Sequence, residues 1–339
     1  MVELEDMTCK EPKLRTLAVA LTLLAAISTG DVLLYAEEGK KPPVAILFDT
    51  DMQTDVDDVG ALATLHTLAD RGEVEILGTM VSSGYQWSVP CVDAVNTAFG
   101  RPDLPIGTVK EGGVVRGSKY ARQIAEEYPH DLEADEAPDA VSLCREILAA
   151  QPDASVVICS VGYLTNLAGL LESGPDAASE LSGHDLVRRK VKLWVCMGGI
   201  FPKGLETNLR FDAAASAAAL DRWPTRIVFT GWEIGKDLMT GHTLKDKYSP
   251  EHIVRRGYEL YLGPDKTQRE SWDQSAVLLA ARGAAPYWDI REGGHLRVLP
   301  DGTNEWLAEP DKDHSYVVAK MPPAEVAEVI EGLMTHAAD

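Results

Sequence analysis

Short apolar runs alternate with segments of helical spacing along most of the chain. Residues 44–48 are continuously apolar, which is typical of a strand buried on both faces, and residues 59–68 follow the roughly 3.6-residue period of a helix. Further strands are predicted over residues 74–81, 154–160, 191–197 and 225–229, and further helices over residues 93–99, 140–150, 165–171, 213–220, 275–281 and 324–335. This alternation predicts an α/β fold with an open, mostly parallel (mixed) sheet and helices on both faces.

Residues 1–36 do not follow this pattern. Basic residues precede the apolar stretch 17–27, and small residues follow it. A positive flank, an apolar centre and a small-residue exit are typical of a secretory signal peptide. A membrane anchor is the alternative, although the stretch is short for a full span. We therefore predict an exported protein, periplasmic or secreted, with one folded domain over residues 43–339.

Composition narrows the function. The chain has 339 residues, of which 45% are hydrophobic, and this suits a soluble protein with a large core. Its formal net charge of −21 repels phosphate backbones and anionic lipids, so we expect no nucleic acid partner. The cysteines show no C-x-x-C spacing, which argues against a zinc site. A small molecule or a divalent cation remains as the expected ligand.

Aspartates are concentrated directly after the first predicted strand, in the stretch FDTDMQTDVDD. They are Asp49, Asp51, Asp55, Asp57 and Asp58. Carboxylates this close repel one another unless protons or a cation neutralise them. Ligands of open α/β sheets bind beyond the carboxyl ends of the strands, which is where this loop is expected to lie. The loop is therefore a candidate cation site.

Three other interpretations apply to a cluster of aspartates after a strand. An EF-hand needs glycine and a bidentate acid where this chain has Thr54 and Gly60, so it is excluded. A phosphotransferase of the haloacid dehalogenase type also has D-x-D after its first strand, with Asp49 as nucleophile, but Gln53 replaces its usual Thr or Val. A solvated acidic loop explains two or three aspartates rather than five. The last two interpretations remain as alternatives.

The motifs D-T-D and D-D-x-x-A-L in this loop resemble the inosine-uridine-preferring nucleoside hydrolase family. Later segments continue the resemblance in the family's order: residues 161–168 resemble G-x-L-T-N-[IL]-A, residues 197–212 resemble M-G-G … E-F-N … D, and residues 272–276 resemble H-D-P-L-A. The chain is identified as a divergent member. The resemblance implies an open α/β fold, a calcium ion (Ca²⁺) at the carboxyl edge of the sheet, and hydrolysis of the N-glycosidic bond of nucleosides.

The resemblance also implies individual roles. Asp51 matches the calcium ligand that takes a proton from the metal-bound attacking water. The implied metal ligands are Asp51, Asp58, the main-chain carbonyl of Val161, and Asp273, and the implied substrate-binding residues are Asp57, Glu206, Asn208 and Trp272. Calcium prefers such oxygen ligands and activates bound water. Carboxylates around the sugar stabilise the positive charge that develops on ribose during cleavage.

The chain departs from the family's pattern in its first loop and its second turn. The loop is two residues longer than D-x-D-P-G-x-D-D, so either Asp55 or Asp57 contacts ribose, and the spacing to the following Ala-Leu favours Asp57. The family's early V-x-G-N turn is replaced by residues 81–87. Ser83 or Gln86 is expected to substitute for its asparagine there, and the two aromatic residues of that segment either stack on a base or pack under the loop.

A third departure concerns the leaving group. Trp272 stands where many members have the histidine that protonates the departing base, and it is expected to stack on the base instead. The alternative acids are His242, His295, His314 and Glu233. We therefore predict a calcium-dependent N-ribohydrolase acting on a nucleoside or related N-riboside. The rival hypothesis is a weak or inactive metal-dependent ribose or nucleoside binding protein. Homo-oligomers are common in the family, and base preference is left open.

Overall fold

The computed structural model describes residues 42–309 and 311–336. The strands are β1 (Val44–Thr50), β2 (Val74–Val81), β3 (Ile106–Thr108), β4 (Val156–Ser160), β5 (Val191–Met197), β6 (Lys203–Gly204), β7 (Ile227–Thr230), β8 (Met239–Thr240), β9 (Arg269–Glu270), β10 (Trp288–Val298), β11 (Asn304–Leu307) and β12 (His314–Ala319). The helices are α1 (Asp57–Asp70), α2 (Ser88–Ala98), α3 (Ala121–Glu127), α4 (Ala140–Ala150), α5 (Thr165–Glu172), α6 (Gly183–Lys190), α7 (Thr207–Phe211), α8 (Ala213–Arg222), α9 (Trp232–Gly235), α10 (Leu244–Lys247), α11 (Ile253–Leu262), α12 (Trp272–Arg282) and α13 (Pro323–Met334).

Ten of the strands form one open sheet in the order β3-β2-β1-β4-β5-β7-β12-β10-β11-β6. The strands from β3 to β12 in this order are parallel, and β10, β11 and β6 add an antiparallel edge. Strands β8 and β9 form a separate antiparallel pair. The predicted mixed, mostly parallel sheet is confirmed.

Both faces of the sheet are covered. Along β1, Ile46 and Phe48 pack into one hydrophobic cluster with α1, α2 and α12, while Leu47 packs into a second cluster with α4, α5 and α8. Successive side chains of a strand point to opposite faces, so a continuously apolar strand indicates a sheet buried on both sides. The predicted placement of helices on both faces is confirmed.

Helix α1 begins two residues before the predicted start at residue 59. Asp57 and Asp58 occupy its first turn and are both buried. Negative charge near the amino end of a helix is favourable because the backbone N–H groups there are unpaired and the helix dipole is positive. The helix therefore begins at the two aspartates and places them at the carboxyl edge of the sheet.

The predicted signal peptide over residues 1–36 lies outside the described residues, so it stays a prediction, as does the single domain over residues 43–339. In the described part of the chain, no helix has the length and apolar character needed to span a membrane.

Candidate active site

A cavity of about 270 Å³ lies at the carboxyl edge of the sheet, beyond β1, β4 and β5. All eight residues assigned from the sequence line it: Asp51, Asp57, Asp58, Val161, Glu206, Asn208, Trp272 and Asp273. The lining also includes residues to which no role at the site was assigned from the sequence: Thr54, Met197, Thr207, Trp232 and Arg269. The four sequence segments that carry the resemblance therefore meet at one place.

The loop between β1 and α1 is held in an unusual conformation. Met52 has a φ of 40°, a left-handed value that is uncommon for residues other than glycine. The Ser88 hydroxyl donates to the carbonyl oxygens of Asp51 and Met52 at 3.2 and 3.1 Å. Gly162 packs against the same loop so closely that a Cβ there would lie 2.5 Å from the Asp51 nitrogen. These contacts position Asp51 beside the cavity.

Three carboxylates form the centre of the site. Oxygens of Asp57, Asp58 and Asp273 all lie within 4.8 Å of one another, and each side chain is at most 5% exposed. The Thr50 hydroxyl and the Met52 N–H donate to Asp58, and the Asp273 N–H donates to Asp57 at 3.3 Å. Burial raises the pKa of all three carboxyls well above the usual value, and repulsion from neighbouring aspartates adds to the effect. Such a group is stable at neutral pH when a cation or protons neutralise it.

Asp51 lines the same cavity but does not belong to that close group. Burial raises the pKa of Asp51 to about 6, while hydrogen bonds from Tyr163 and Gln53 favour its ionised form. The Gln53 amide also donates to the Tyr163 hydroxyl at 2.9 Å. A carboxyl with a pKa near neutrality suits a general base. The prediction that Asp51 binds metal stays a prediction.

Asp49 lies outside the cavity lining. It is buried, accepts a hydrogen bond from the Asn166 amide at 2.9 Å, and has its pKa raised to about 8, chiefly by burial. A nucleophile must reach its substrate in ionised form. The position and protonation of Asp49 therefore do not support the phosphotransferase alternative.

Asp55, the extra aspartate of the longer loop, forms an ion pair with Arg269. The Arg269 guanidinium donates to both carboxylate oxygens, with Nε at 2.9 and 3.2 Å from them. Both side chains are about one-quarter exposed. The pair joins the acidic loop to β9, immediately before Trp272 and Asp273. Because Asp55 is engaged in this pair, the geometry favours Asp57 over Asp55 for contact with ribose.

Arg269→Ala is expected to lower the free energy of unfolding by about 1–3 kcal/mol, because it leaves Asp55 unpaired beside other carboxylates. Thermal denaturation of the calcium-free protein measures the effect. Arg297→Ala serves as the control. Arg297 is more than half exposed in its pair with Glu305, so the melting temperature should change far less. Equal shifts in the two variants would show that the loop does not depend on the Asp55 pair.

Glu206 and Asn208 lie at the start of α7. Glu206 caps this helix, with its carboxylate accepting from the Asn208 and Leu209 N–H groups at 2.8 and 3.1 Å. The Asn208 amide donates to the Val161 carbonyl at 2.8 Å. A carbonyl oxygen has two lone pairs, so Val161 retains one for a cation. The cap fixes the side chains that the resemblance assigns to ribose.

Two tryptophans, Trp232 and Trp272, form one wall of the cavity. The Trp272 indole N–H donates to the Trp232 carbonyl at 2.8 Å, and the two rings are stacked with centroids 6.5 Å apart. The Trp232 side chain is 41% exposed. Aromatic faces at this wall provide a stacking surface for a planar ring. The sequence indicated Trp272 but missed Trp232, which comes from a different strand end.

The alternative acids do not line the cavity. Among the described residues no histidine does so, and Glu233 is also outside the lining. His242 lies beside Glu331, His295 beside Asp311, and burial lowers the pKa of His314 to about 4. These positions do not support any of the four as the acid that protonates the base.

The segment that replaces the family's V-x-G-N turn lines a separate cavity. Ser83, Tyr85, Gln86 and Trp87 lie around a space of about 820 Å³. The Ser83 hydroxyl bonds that of Ser88 at 2.7 Å and so supports the acidic loop. The structure therefore gives this segment a role in holding the loop, and it does not bring Ser83 or Gln86 into the carboxylate cavity.

Comparisons with known proteins identify the family. The profile described as "Inosine-uridine preferring nucleoside hydrolase" matches residues 46–281. Similar solved structures include a plant nucleoside hydrolase (TM-score 0.64, 16% identity, covering 87% of this chain and 100% of that one) and an inosine-uridine preferring nucleoside hydrolase from Bacillus anthracis (0.65, 15%, 86% and 99%). The type III effector protein XopQ, complexed with adenosine diphosphate ribose, is also similar (0.65, 16%, 87% and 94%).

These structural similarities show a shared fold, and no curated protein sequence matches the chain. The profile match covers most of the chain and includes every residue assigned to the cavity from the sequence. The predicted identification and the predicted enzyme class are therefore confirmed: the chain belongs to the inosine-uridine preferring nucleoside hydrolase family.

Proposed function

We propose that this enzyme hydrolyses the N-glycosidic bond of a ribonucleoside, or of a related N-riboside, with a calcium ion held at the carboxylate group. One observation carries the proposal. Asp57, Asp58 and Asp273 are buried within 4.8 Å of one another, yet in the described part of the chain none forms an ion pair with a basic side chain. Arg269, the basic residue of the cavity, is paired with Asp55 instead.

The donors fit calcium. They are carboxylate oxygens with a main-chain carbonyl nearby, which are hard ligands that suit Ca²⁺ and its flexible shell of six to eight oxygens. We propose Asp51, Asp58, Asp273 and the Val161 carbonyl as ligands, and the position of Asp57 beside Asp58 makes it a further candidate. A bound calcium ion would supply a water molecule of lowered pKa for attack on the sugar.

The residues of the chain would perform the remaining steps. Asp51 takes the proton from the attacking water, since its pKa of about 6 leaves it mostly ionised at neutral pH. Asp57 and the amide oxygen of Asn208 accept hydrogen bonds from ribose hydroxyls. The surrounding carboxylates stabilise positive charge on the sugar as the bond breaks. Trp272 and Trp232 hold the leaving base between apolar faces.

A second candidate function is binding without turnover. The observation that favours it is the lack of a histidine among the described residues of the cavity wall, which leaves the departing base without an evident acid. A structural neighbour of this chain, XopQ, was solved in complex with adenosine diphosphate ribose. In this alternative the carboxylates bind a metal and a riboside, and the bond stays intact.

A panel of purine and pyrimidine nucleosides distinguishes the two functions. The protein is incubated with each nucleoside in a phosphate-free buffer that contains calcium. Free base and reducing sugar are then measured. We expect equal amounts of both products from at least one nucleoside. Saturable nucleoside binding without product from any member of the panel would support the binding protein and contradict hydrolysis.

We also propose that the chain is exported and forms homo-oligomers. Export is supported by the signal-like segment of residues 1–36. Oligomerisation is supported only by the fact that homo-oligomers are common in the family. Neither proposal affects the chemistry of the cavity.

A further inference from the structure

Two arginines that neighbour residues of the active-site lining stack on a shared aromatic ring. The guanidinium carbon of Arg116 is 4.0 Å from the ring centroid of Phe211, and that of Arg210 is 4.6 Å from it. Arginines stack on aromatic faces through the attraction between the cation and the ring. Stacking fixes the side chains without using their N–H groups, which remain available for a ligand.

In the described part of the chain, neither of these arginines forms an ion pair with a carboxylate. Most arginines in the described part of the chain form ion pairs with acidic side chains, but Arg116 and Arg210 form none there, and both residues are exposed. The chain has 53 acidic and 32 basic residues, so carboxylate partners are abundant. A pair of uncompensated guanidinium groups at one place is therefore a local exception to a strongly acidic surface.

The pair is connected to the cavity from two sides. Thr207 lines the cavity, and Arg210 and Phe211 follow it on α7 by three and four residues, a spacing that places them on the same helix face. On the other side, the backbone N–H of Arg116 donates to the side-chain oxygen of Gln53 at 2.9 Å. Thr54, the next residue after Gln53, lines the cavity. The arginines are thus joined to the cavity lining through α7 and through the acidic loop.

The pair lies at the sugar end of the cavity. Glu206 caps α7 and Asn208 lies in its first turn, and the resemblance assigns both residues to ribose. The tryptophan wall proposed for the base belongs to other elements. Phe211 also packs edge-on against Tyr163, with ring centroids 6.3 Å apart, and Tyr163 donates a hydrogen bond to Asp51. A group that reaches the arginines would therefore extend from the sugar of the substrate.

We propose that the substrate is an N-riboside with a phosphate group on its sugar, and that Arg116 and Arg210 bind this phosphate. Arginine is suited to phosphate because its planar group donates two parallel hydrogen bonds. A cavity lined by aspartates would otherwise repel a phosphorylated substrate, and the two arginines offset that repulsion. The inference rests on the proposed function, because it uses the assignment of Glu206 and Asn208 to ribose.

Binding of ribose 5-phosphate tests the proposal without turnover. Isothermal titration calorimetry of the full-length, calcium-loaded protein compares ribose 5-phosphate, ribose and inorganic phosphate. We expect ribose 5-phosphate to bind at least about tenfold more tightly than either of the others, since only it engages both the sugar site and the arginines. Equal affinity for ribose and ribose 5-phosphate would overturn the proposal. Equal affinity for inorganic phosphate and ribose 5-phosphate would also overturn it, by showing an anion site unconnected with the sugar.

Variants locate the phosphate. The double variant Arg116→Gln with Arg210→Gln keeps most of each aliphatic stem and removes both charges. It should lose at least about tenfold in affinity for ribose 5-phosphate. Arg71→Ala is the matched control, because Arg71 is an exposed residue at the far end of α1, away from the cavity, and its affinity should stay at the wild-type value. Retained affinity in the double variant, with its melting temperature unchanged, would overturn the proposal.

The outcome is separable from that of the proposed function. Tight binding of ribose 5-phosphate by a protein that hydrolyses no riboside would contradict the proposed hydrolysis and support the phosphate site. Nucleoside hydrolysis without preferential binding of the phosphorylated sugar would contradict the phosphate site and support the proposed hydrolysis.

Discussion

Asp51→Asn should lower kcat for N-riboside hydrolysis by about 10²–10⁴-fold, the usual contribution of a general base. Asparagine keeps the shape of the side chain and its hydrogen bonds with Tyr163 and Gln53 in large part, but it does not accept the proton of the attacking water. Initial rates of ribose release at saturating calcium measure the effect. The same reasoning predicts that the wild-type rate falls as pH drops through about 6 or lower, since Asp51 acts only when ionised and a bound cation lowers its pKa further.

Asp55→Asn is the control for this prediction. Asp55 lies in the same loop and also borders the cavity, but it is paired with Arg269, so its loss should reduce kcat much less than the loss of Asp51. An Asp51→Asn enzyme with a rate within a few-fold of wild type would show that another group takes the proton. A larger effect at Asp55 than at Asp51 would assign the base to the extra aspartate.

Calcium should raise the melting temperature, and more so at pH 8 than at pH 5. Burial raises the pKa values of Asp57, Asp58 and Asp273 above those of the unfolded chain, so the metal-free folded protein binds more protons than the unfolded one. Their contribution to stability is therefore lost as pH rises through the raised pKa values. Calcium replaces the protons. At a free concentration about a thousandfold above its Kd it adds about 4 kcal/mol, or roughly 10 °C for a chain of this size.

Thermal melts of calcium-stripped protein, with and without added calcium at each pH, measure this stabilisation. Magnesium is the matched ion, and it should stabilise less because it is smaller and holds its own water molecules strongly. A melting temperature that does not respond to calcium at pH 8 would contradict the metal site. An equal response to both ions would contradict its selectivity for calcium.

The central part of the fold was predictable because its signals are local. The predicted bounds of β2, α4 and β5 agree with the structure, and β1 and α5 differ by at most two residues at either end. Continuous apolar strands and periodic helices produce such signals without reference to distant residues. The strands β10, β11 and β12 were missed. β10 is largely exposed over residues 289–293, so it lacks the apolar run that marks a buried strand.

The site was predictable as a set of residues but not as a set of contacts. Motif spacing placed Asp51, Asp58 and Asp273 at the carboxyl edge, and all three line the cavity. The partner of Asp55 was not predictable, because Arg269 lies 214 residues away and in a segment without a motif. Trp232 was missed for a similar reason: it follows β7 as a lone aromatic residue, which in a sequence is indistinguishable from a core side chain.

The central claim is that the buried carboxylates bind a calcium ion needed to cleave an N-glycosidic bond. The most direct measurement is the rate of ribose release from the best nucleoside or N-riboside, before calcium is removed, after its removal, and after its return. We predict that removal lowers the rate at least about 100-fold and that added calcium restores it. A rate that is unchanged in calcium-free enzyme would contradict the claim.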